Sequence, residues 1–174
     1  TKHILSINMT PLLIFDLDGT LIDSAGDLHA AVNRMLREAG RLPLSLESVR
    51  KMIGDGTPRL VERALAVQAD PPIDPALAFD RFMAFYEADA TTLTVPYPGV
   101  ASTLAVLASR GHTMAICTNK PERPTRAILD GLGLGGTFTH VVGGDTFAWR
   151  KPDPRMITGV TTTLGVAIAD AIVI

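Results

Sequence analysis

An α/β fold, a doubly wound parallel sheet interrupted by an inserted helical bundle, is what this 174-residue sequence predicts. Three observations carry that expectation. A short apolar run near the start ends in an acidic turn. The stretch 24–94 then shows helical periodicity and no convincing strand. After Tyr97-Pro98-Gly99 the pattern switches to strands alternating with helices, the signature of a parallel sheet.

In order along the chain, Leu12-Leu13-Ile14-Phe15 reads as a buried strand broken by Asp16-Leu17-Asp18-Gly19-Thr20. Ala30, Ala31, Met35 and Leu36 give one apolar helix face, and Gly40 is the expected stop. Thr57-Pro58 and Asp74-Pro75 each look like an N-cap followed by proline in the first turn. Beyond Gly99 the pattern predicts a helix over 100–109, a strand over 114–118, a helix opened by Pro121 and a strand over 139–142. A helix opened by Asp153-Pro154 and a last buried strand over 171–174 complete it. The expected division is a core of 9–23 with 95–174, and a helical cap of 24–94. Met9 reads as a native start, with residues 1–8 an extension or a remnant of cloning.

Composition narrows the function. The chain is 47% hydrophobic and 20% charged with a net charge of −2, enough apolar residue for a real core. No basic block suggests nucleic acid. No apolar run approaches the ~18 residues of a membrane span. The single cysteine, Cys117, excludes an internal disulfide and fits a reducing, cytoplasmic setting.

Chemistry concentrates where strands end. In open α/β sheets ligands bind beyond the carboxyl ends of the strands, and Asp16, Thr118 and Asp145 follow or close predicted strands at that edge. An insertion leaving from the same edge would cover the site as a lid. Asp16 and Asp18 lie at i and i+2, so both carboxylates can face one centre in an extended chain. Two such anions need a metal or a lysine nearby to stay ionised. Gly19 would let the backbone approach a ligand closely. The plainer reading, a bare Asp-Gly-Thr turn, does not account for the acids at both positions after a buried strand.

Phe15-Asp16-Leu17-Asp18-Gly19-Thr20-Leu21-Ile22-Asp23-Ser24 resembles the first motif of the haloacid dehalogenase superfamily. Thr118-Asn119-Lys120 resembles the second and Arg150-Lys151-Pro152-Asp153-Pro154 the third, in the family's order and spacing. The resemblance implies that core and that cap. It makes Asp16 the nucleophile, giving an aspartyl-phosphate, and Asp18 the general acid and then base. The Thr118 hydroxyl and the Asn119 main-chain amide would hold phosphate oxygens near the helix that Pro121 opens. Lys151 would offset negative charge. The cofactor it implies is Mg²⁺, bound by the Asp16 carboxylate, the Asp18 carbonyl and acids of a fourth motif. Asp18 favours a phosphate ester over a halide, which departs without a proton. Lys51, the cap's one lysine, lies where no Schiff-base motif is matched.

The segment from Met52 to Leu65, with its Gly54-Asp55-Gly56, resembles the cap of the family's phosphoglycolate phosphatases, as does Val142-Gly143-Gly144-Asp145-Thr146. That implies 2-phosphoglycolate as substrate, with Arg59 a first choice to pair its carboxylate; a solvated helix face explains Arg59 and Arg63 as well. A small phosphorylated metabolite is the expected partner. Two other readings stay open: a phosphatase or mutase acting on sugar phosphates or pyrophosphate, and a catalytically dead phosphate-binding scaffold. The fourth motif does not occur in the 174 residues, and Asp16 with one carbonyl makes a poor magnesium site. A truncated chain, a gene fragment or a chain that has lost catalysis would each explain it; a truncated active phosphatase is the favoured reading. Cys117 is expected to pack, Asp145 to cap or orient, Trp149 to line the mouth or pack, Ser24 to cap a helix, and the histidines show no ligand spacing.

Overall fold

Four parallel strands, all short and apolar, set the position of everything else. The computed structural model describes residues 10–68 and 73–174; Met9, residues 1–8 and His3 lie outside them. In chain order the elements are β1 (Leu12–Phe15), β2 (Ile22–Asp23), α1 (Ala25–Glu38), α2 (Leu46–Arg50), α3 (Thr57–Ala66), α4 (Pro75–Asp89), β3 (Val95–Pro96), α5 (Val100–Ser109), β4 (Met114–Cys117), α6 (Glu122–Gly131), β5 (His140–Val142), α7 (Arg155–Thr163) and β6 (Ala171–Val173).

The main sheet runs β5-β4-β1-β6, every pair parallel. β1 is central and buried on both faces, which is why it reads as an unbroken apolar run. Successive side chains alternate between faces. Leu13, Phe15 and Ile116 join one core with Leu104 of α5 and with Ile128 and Leu129 of α6. Leu12, Ile14, Ala115 and Cys117 join a second core with Met156 and Val160 of α7. Helices on both faces make the sheet doubly wound.

The last strand departs from expectation. β6 pairs with β1 on one side only, and Ile172, Val173 and Ile174 are half exposed rather than buried. An apolar run reports a strand, but burial depends on what covers its second edge.

β2 and β3, which the sequence pattern does not signal, form a separate antiparallel ribbon pairing Ile22 with Pro96 and Asp23 with Val95. Helices α1 to α4 leave and return through it. Next to the ribbon, the buried carboxylate of Asp27 accepts hydrogen bonds from the Leu93 and Thr94 amides and the Thr94 hydroxyl, so it carries no unmet lone-pair demand. Gly40 follows α1 with φ +69°, and Asp74 caps α4 through the Ala76 amide, both as expected. At α3 the cap moves by one residue. Gly56 is the N-cap, and Thr57 is the first helical residue. Gly56 has φ +89°, and a Cβ there would stand 2.9 Å from the Asn119 carbonyl, so glycine fits where a threonine cap cannot.

Candidate active site

Where β1 ends at Phe15, the chain turns and places Asp16 and Asp18 in one cleft. Thr118, Asn119 and Lys120, just past β4, line it from the core. Ile53, Gly54, Gly56 and Thr57 line it from the inserted helices.

Each carboxylate has its own lysine. Asp16 Oδ1 accepts from Lys151 Nζ at 2.8 Å and from the Leu17 amide at 2.8 Å. Asp18 Oδ1 stands 3.0 Å from Lys120 Nζ and accepts from Ser24 Oγ at 2.5 Å. Ser24 thus sits at the start of α1 without capping it, and its side chain goes to Asp18 instead. The Lys120 role was not legible in the sequence. Its side chain is 2% exposed, and its ammonium also bonds the Tyr86 hydroxyl of α4 at 2.5 Å. Burial alone would pull Lys120 down, but Asp18 and Tyr86 outweigh it and hold the amine above its ordinary pKa.

The Asn119 side chain ties three segments together. Its Nδ2 donates to the carbonyls of Gly54 and Lys151, each at 3.1 Å, and its Oδ1 accepts from the Lys151 amide at 2.9 Å. The loop that carries Lys151 is therefore fixed by a core residue that also touches the insert. Thr118 is buried, its hydroxyl accepting from the Lys120 amide at 3.2 Å.

Other expected site residues lie elsewhere. Gly19, with φ +84°, closes the turn by donating its amide to Ile22, and it lines a neighbouring pocket rather than the cleft. Arg59 does not line the cleft; it pairs with Glu62 at 2.6 Å on the exposed face of α3. Arg63 bonds the Met52 carbonyl and Asp55. What the insert does present is Thr57, 3% exposed, whose hydroxyl has no hydrogen-bond partner among the described residues. The first amide of α6 is taken by Asp145, which caps Glu122 at 2.7 Å; capping is thus the Asp145 role seen here. Lys51 pairs with Glu47 on the surface. Trp149 stacks on Phe147 and under Arg155, packing beside the second core. Cys117 is buried, and burial pushes its thiol up to about 11, so it packs and stays protonated. His29 bonds Leu44 and Asn33, and His112 bonds Pro11.

Among the described residues, no group of three or more His, Cys, Asp or Glu side chains could hold a metal. Both Asp16 contacts fall on Oδ1, which leaves Oδ2, with the Asp18 main-chain carbonyl, as the oxygens that could ligate a cation. Such a set fits a magnesium ion that keeps its waters and shares a phosphate oxygen. It does not fit an all-protein cage.

A family model described as haloacid dehalogenase-like hydrolase matches residues 13–174. The chain belongs to the haloacid dehalogenase-like hydrolases. Among similar hydrolases, a phosphoglycolate phosphatase of Cereibacter sphaeroides is 46% identical over 156 residues, covering 88% of this chain and 72% of that one. A phosphoglycolate phosphatase of Pseudomonas putida is 49% identical over 158 residues, 89% of this chain; the match spans 58% of that relative's length. Among solved structures, a predicted phosphoglycolate phosphatase from Haemophilus somnus superposes with a TM-score of 0.89 at 28% identity, covering 94% of this chain and 75% of that one. CbbY from Rhodobacter sphaeroides in complex with phosphate gives 0.80 at 22% identity, covering 95% of this chain and 77% of that one, a likeness of fold alone. No helix among the described residues of this hydrolase is long and apolar enough to cross a membrane.

Proposed function

We propose that this hydrolase cleaves phosphate monoesters through an aspartyl-phosphate on Asp16, with 2-phosphoglycolate as its substrate, and that residues 24–94 cap a core of 9–23 and 95–174. The observation that carries the reading is the pair of carboxylates in one cleft, each with a separate lysine. A carboxylate oxygen of Asp16 attacks phosphorus, and the P–O bond to the alkyl group breaks. Asp18, held by Lys120 and Ser24 through Oδ1, carries a proton on Oδ2 in this step and passes it to the leaving alkoxide. The same oxygen then takes a proton from the water that hydrolyses the acyl phosphate. Lys151 offsets negative charge on Asp16 and on the phosphoryl oxygens. The Thr118 hydroxyl and the Asn119 amide hold those oxygens, the Asn119 side chain being already committed. Mg²⁺, held by Asp16 and the Asp18 carbonyl, supplies charge neutralisation at the phosphate when bound.

The substrate carboxylate needs donors at the far side of the cleft. Thr57, with its unpartnered hydroxyl at the start of α3, is placed for that, and a helix N-terminus favours an anion. Arg59 is not. The reading is supported by the two phosphoglycolate phosphatases matched above. Its test is phosphate release from 2-phosphoglycolate, expected to need Mg²⁺ and to vanish in Asp16→Asn. Release that survives Asp16→Asn would overturn the mechanism. A sugar phosphate or pyrophosphate turned over far better would overturn the substrate.

A further inference from the structure

We infer that Tyr86 and Lys120 form a positioning relay through which helix α4 of the insert sets the carboxylate of Asp18. The inference rests on the acid role of Asp18 proposed above. Lys120 is shut away from solvent, and a desolvated ammonium is costly unless its protons meet acceptors. Two acceptors are present, Asp18 Oδ1 at 3.0 Å and the Tyr86 hydroxyl at 2.5 Å, and they come from different parts of the molecule. Tyr86 is 1% exposed and stacks on Phe82 of the same helix, ring centroids 5.7 Å apart and 12° from parallel. Its ring also lies 4.7 Å from the ammonium. The phenol is therefore aimed by α4, the ammonium by the phenol, and the carboxylate by the ammonium. Remove the hydroxyl, and Lys120 loses one of its two acceptors. It must then shift toward Asp18 or draw Asp18 away from the leaving oxygen.

Nothing of this kind supports Asp16. Its lysine is 24% exposed and is held by the Asn119 side chain. The relay acts on proton transfer alone, and that separates it from a structural role. An alkoxide leaves only with a proton, whereas 4-nitrophenolate leaves without one. kcat/KM reports the barrier from free enzyme to the first irreversible step, here P–O cleavage.

The experiment compares kcat/KM for 2-phosphoglycolate and 4-nitrophenyl phosphate in the wild type, Tyr86→Phe and Lys120→Met. Tyr86→Phe keeps the ring stack. We expect a fall of about tenfold or more on the alkyl ester, since misplacing a catalytic group by 1 Å can cost ~100-fold, and less than about twofold on the aryl ester. Equal falls on both esters, or none, overturn the relay; so does an increase in KM alone, which would make Lys120 a phosphate ligand. A second measurement does not need turnover. In ¹⁵N-lysine-labelled protein, the Lys120 ammonium resonance is expected to move in both Tyr86→Phe and Asp18→Asn. A resonance that answers Asp18→Asn but ignores Tyr86→Phe overturns the relay. If the wild type hydrolyses neither ester, the proposed function falls, and the resonance alone decides the relay.

Discussion

Two carboxylates stand two residues apart in one cleft, yet different parts of the molecule hold them. Asp16 belongs to the core. Its partner Lys151 sits on a loop pinned by Asn119, and both charged side chains keep contact with solvent, at 36% and 24% exposure. Asp18 belongs to the junction with the insert. It is 13% exposed, its partner Lys120 is 2% exposed, and that lysine is braced by a phenol from α4. A nucleophile must be reached by substrate and by water, so an open setting suits Asp16. An acid must hold one oxygen still while the other moves a proton, so a dry and braced setting suits Asp18, where each polar contact is also stronger. The Asp16 pair is held through Asn119 of the core, which also reaches Gly54 of the insert; the Asp18 pair is braced directly by Tyr86 of the insert.

The largest effects test the division of labour. Asp18→Ala is expected to cut turnover of 2-phosphoglycolate by about 10²–10⁴-fold while inorganic phosphate still binds, measured by calorimetry; full activity would remove Asp18 from proton transfer. Lys151→Ala is expected to cost at least about 100-fold, with alkyl and aryl esters suffering alike, because charge on the phosphoryl group develops in both. A loss below about threefold would mean that another cation serves Asp16. A penalty confined to the alkyl ester would erase the contrast between the two lysines.

How much of this could be read from the sequence follows the same line. The sheet was legible because residues 12–15 and 114–117 are buried on both faces and bracketed by glycine and proline, so their apolarity is continuous. The β2–β3 ribbon was not, since two-residue strands, one containing Pro96, carry no periodicity. Asp16, Asp18 and Lys151 stand in motifs whose spacing is local. Lys120 stood in the same string as Thr118 and Asn119, but its meaning comes from Tyr86, 34 positions earlier, and no local pattern reports that contact. At α3 the sequence singled out Arg59, whereas the residue that lines the cleft is Thr57. Two residues apart on a helix are about 200° apart around its axis, so only one of them can face the cleft. The helix start fixed by Gly56 decides that it is Thr57.

That choice can be checked. Thr57→Val keeps the shape and removes a buried hydroxyl that has no partner among the described residues. Leaving such a group unmet costs stability, so the variant is expected to melt at a slightly higher temperature. If the hydroxyl serves the substrate carboxylate, KM for 2-phosphoglycolate should rise about tenfold, the value of one hydrogen bond to a charged group, with kcat little changed. A higher melting temperature with an unchanged KM would leave Thr57 as a packing residue.

The smallest effect concerns a contact between the insert and β2. Arg50, at the end of α2, donates to both oxygens of Asp23 on β2, at 3.1 and 3.0 Å. The Arg50 hydrogen bonds, opposed by burial and helped by the Ala25 amide, hold the Asp23 carboxyl below its ordinary value of about 3.8. A carboxyl depressed in the folded state stabilises the fold above its unfolded pKa, and that stabilisation is lost as pH falls through the folded value. The Arg50 side chain is 49% exposed, so water and salt screen the pair, and Arg50→Met should lower the melting temperature near neutral pH only slightly. The gap between variant and wild type should narrow once pH drops below about 3.8 and close when Asp23 is protonated in both states. A gap that persists into strong acid would mean that Arg50 works through its apolar stem, packed against the insert. The ribbon end of the junction would then be held by packing, and the buried Tyr86–Lys120 contact would carry the charged link from α4 to the acid side of the site.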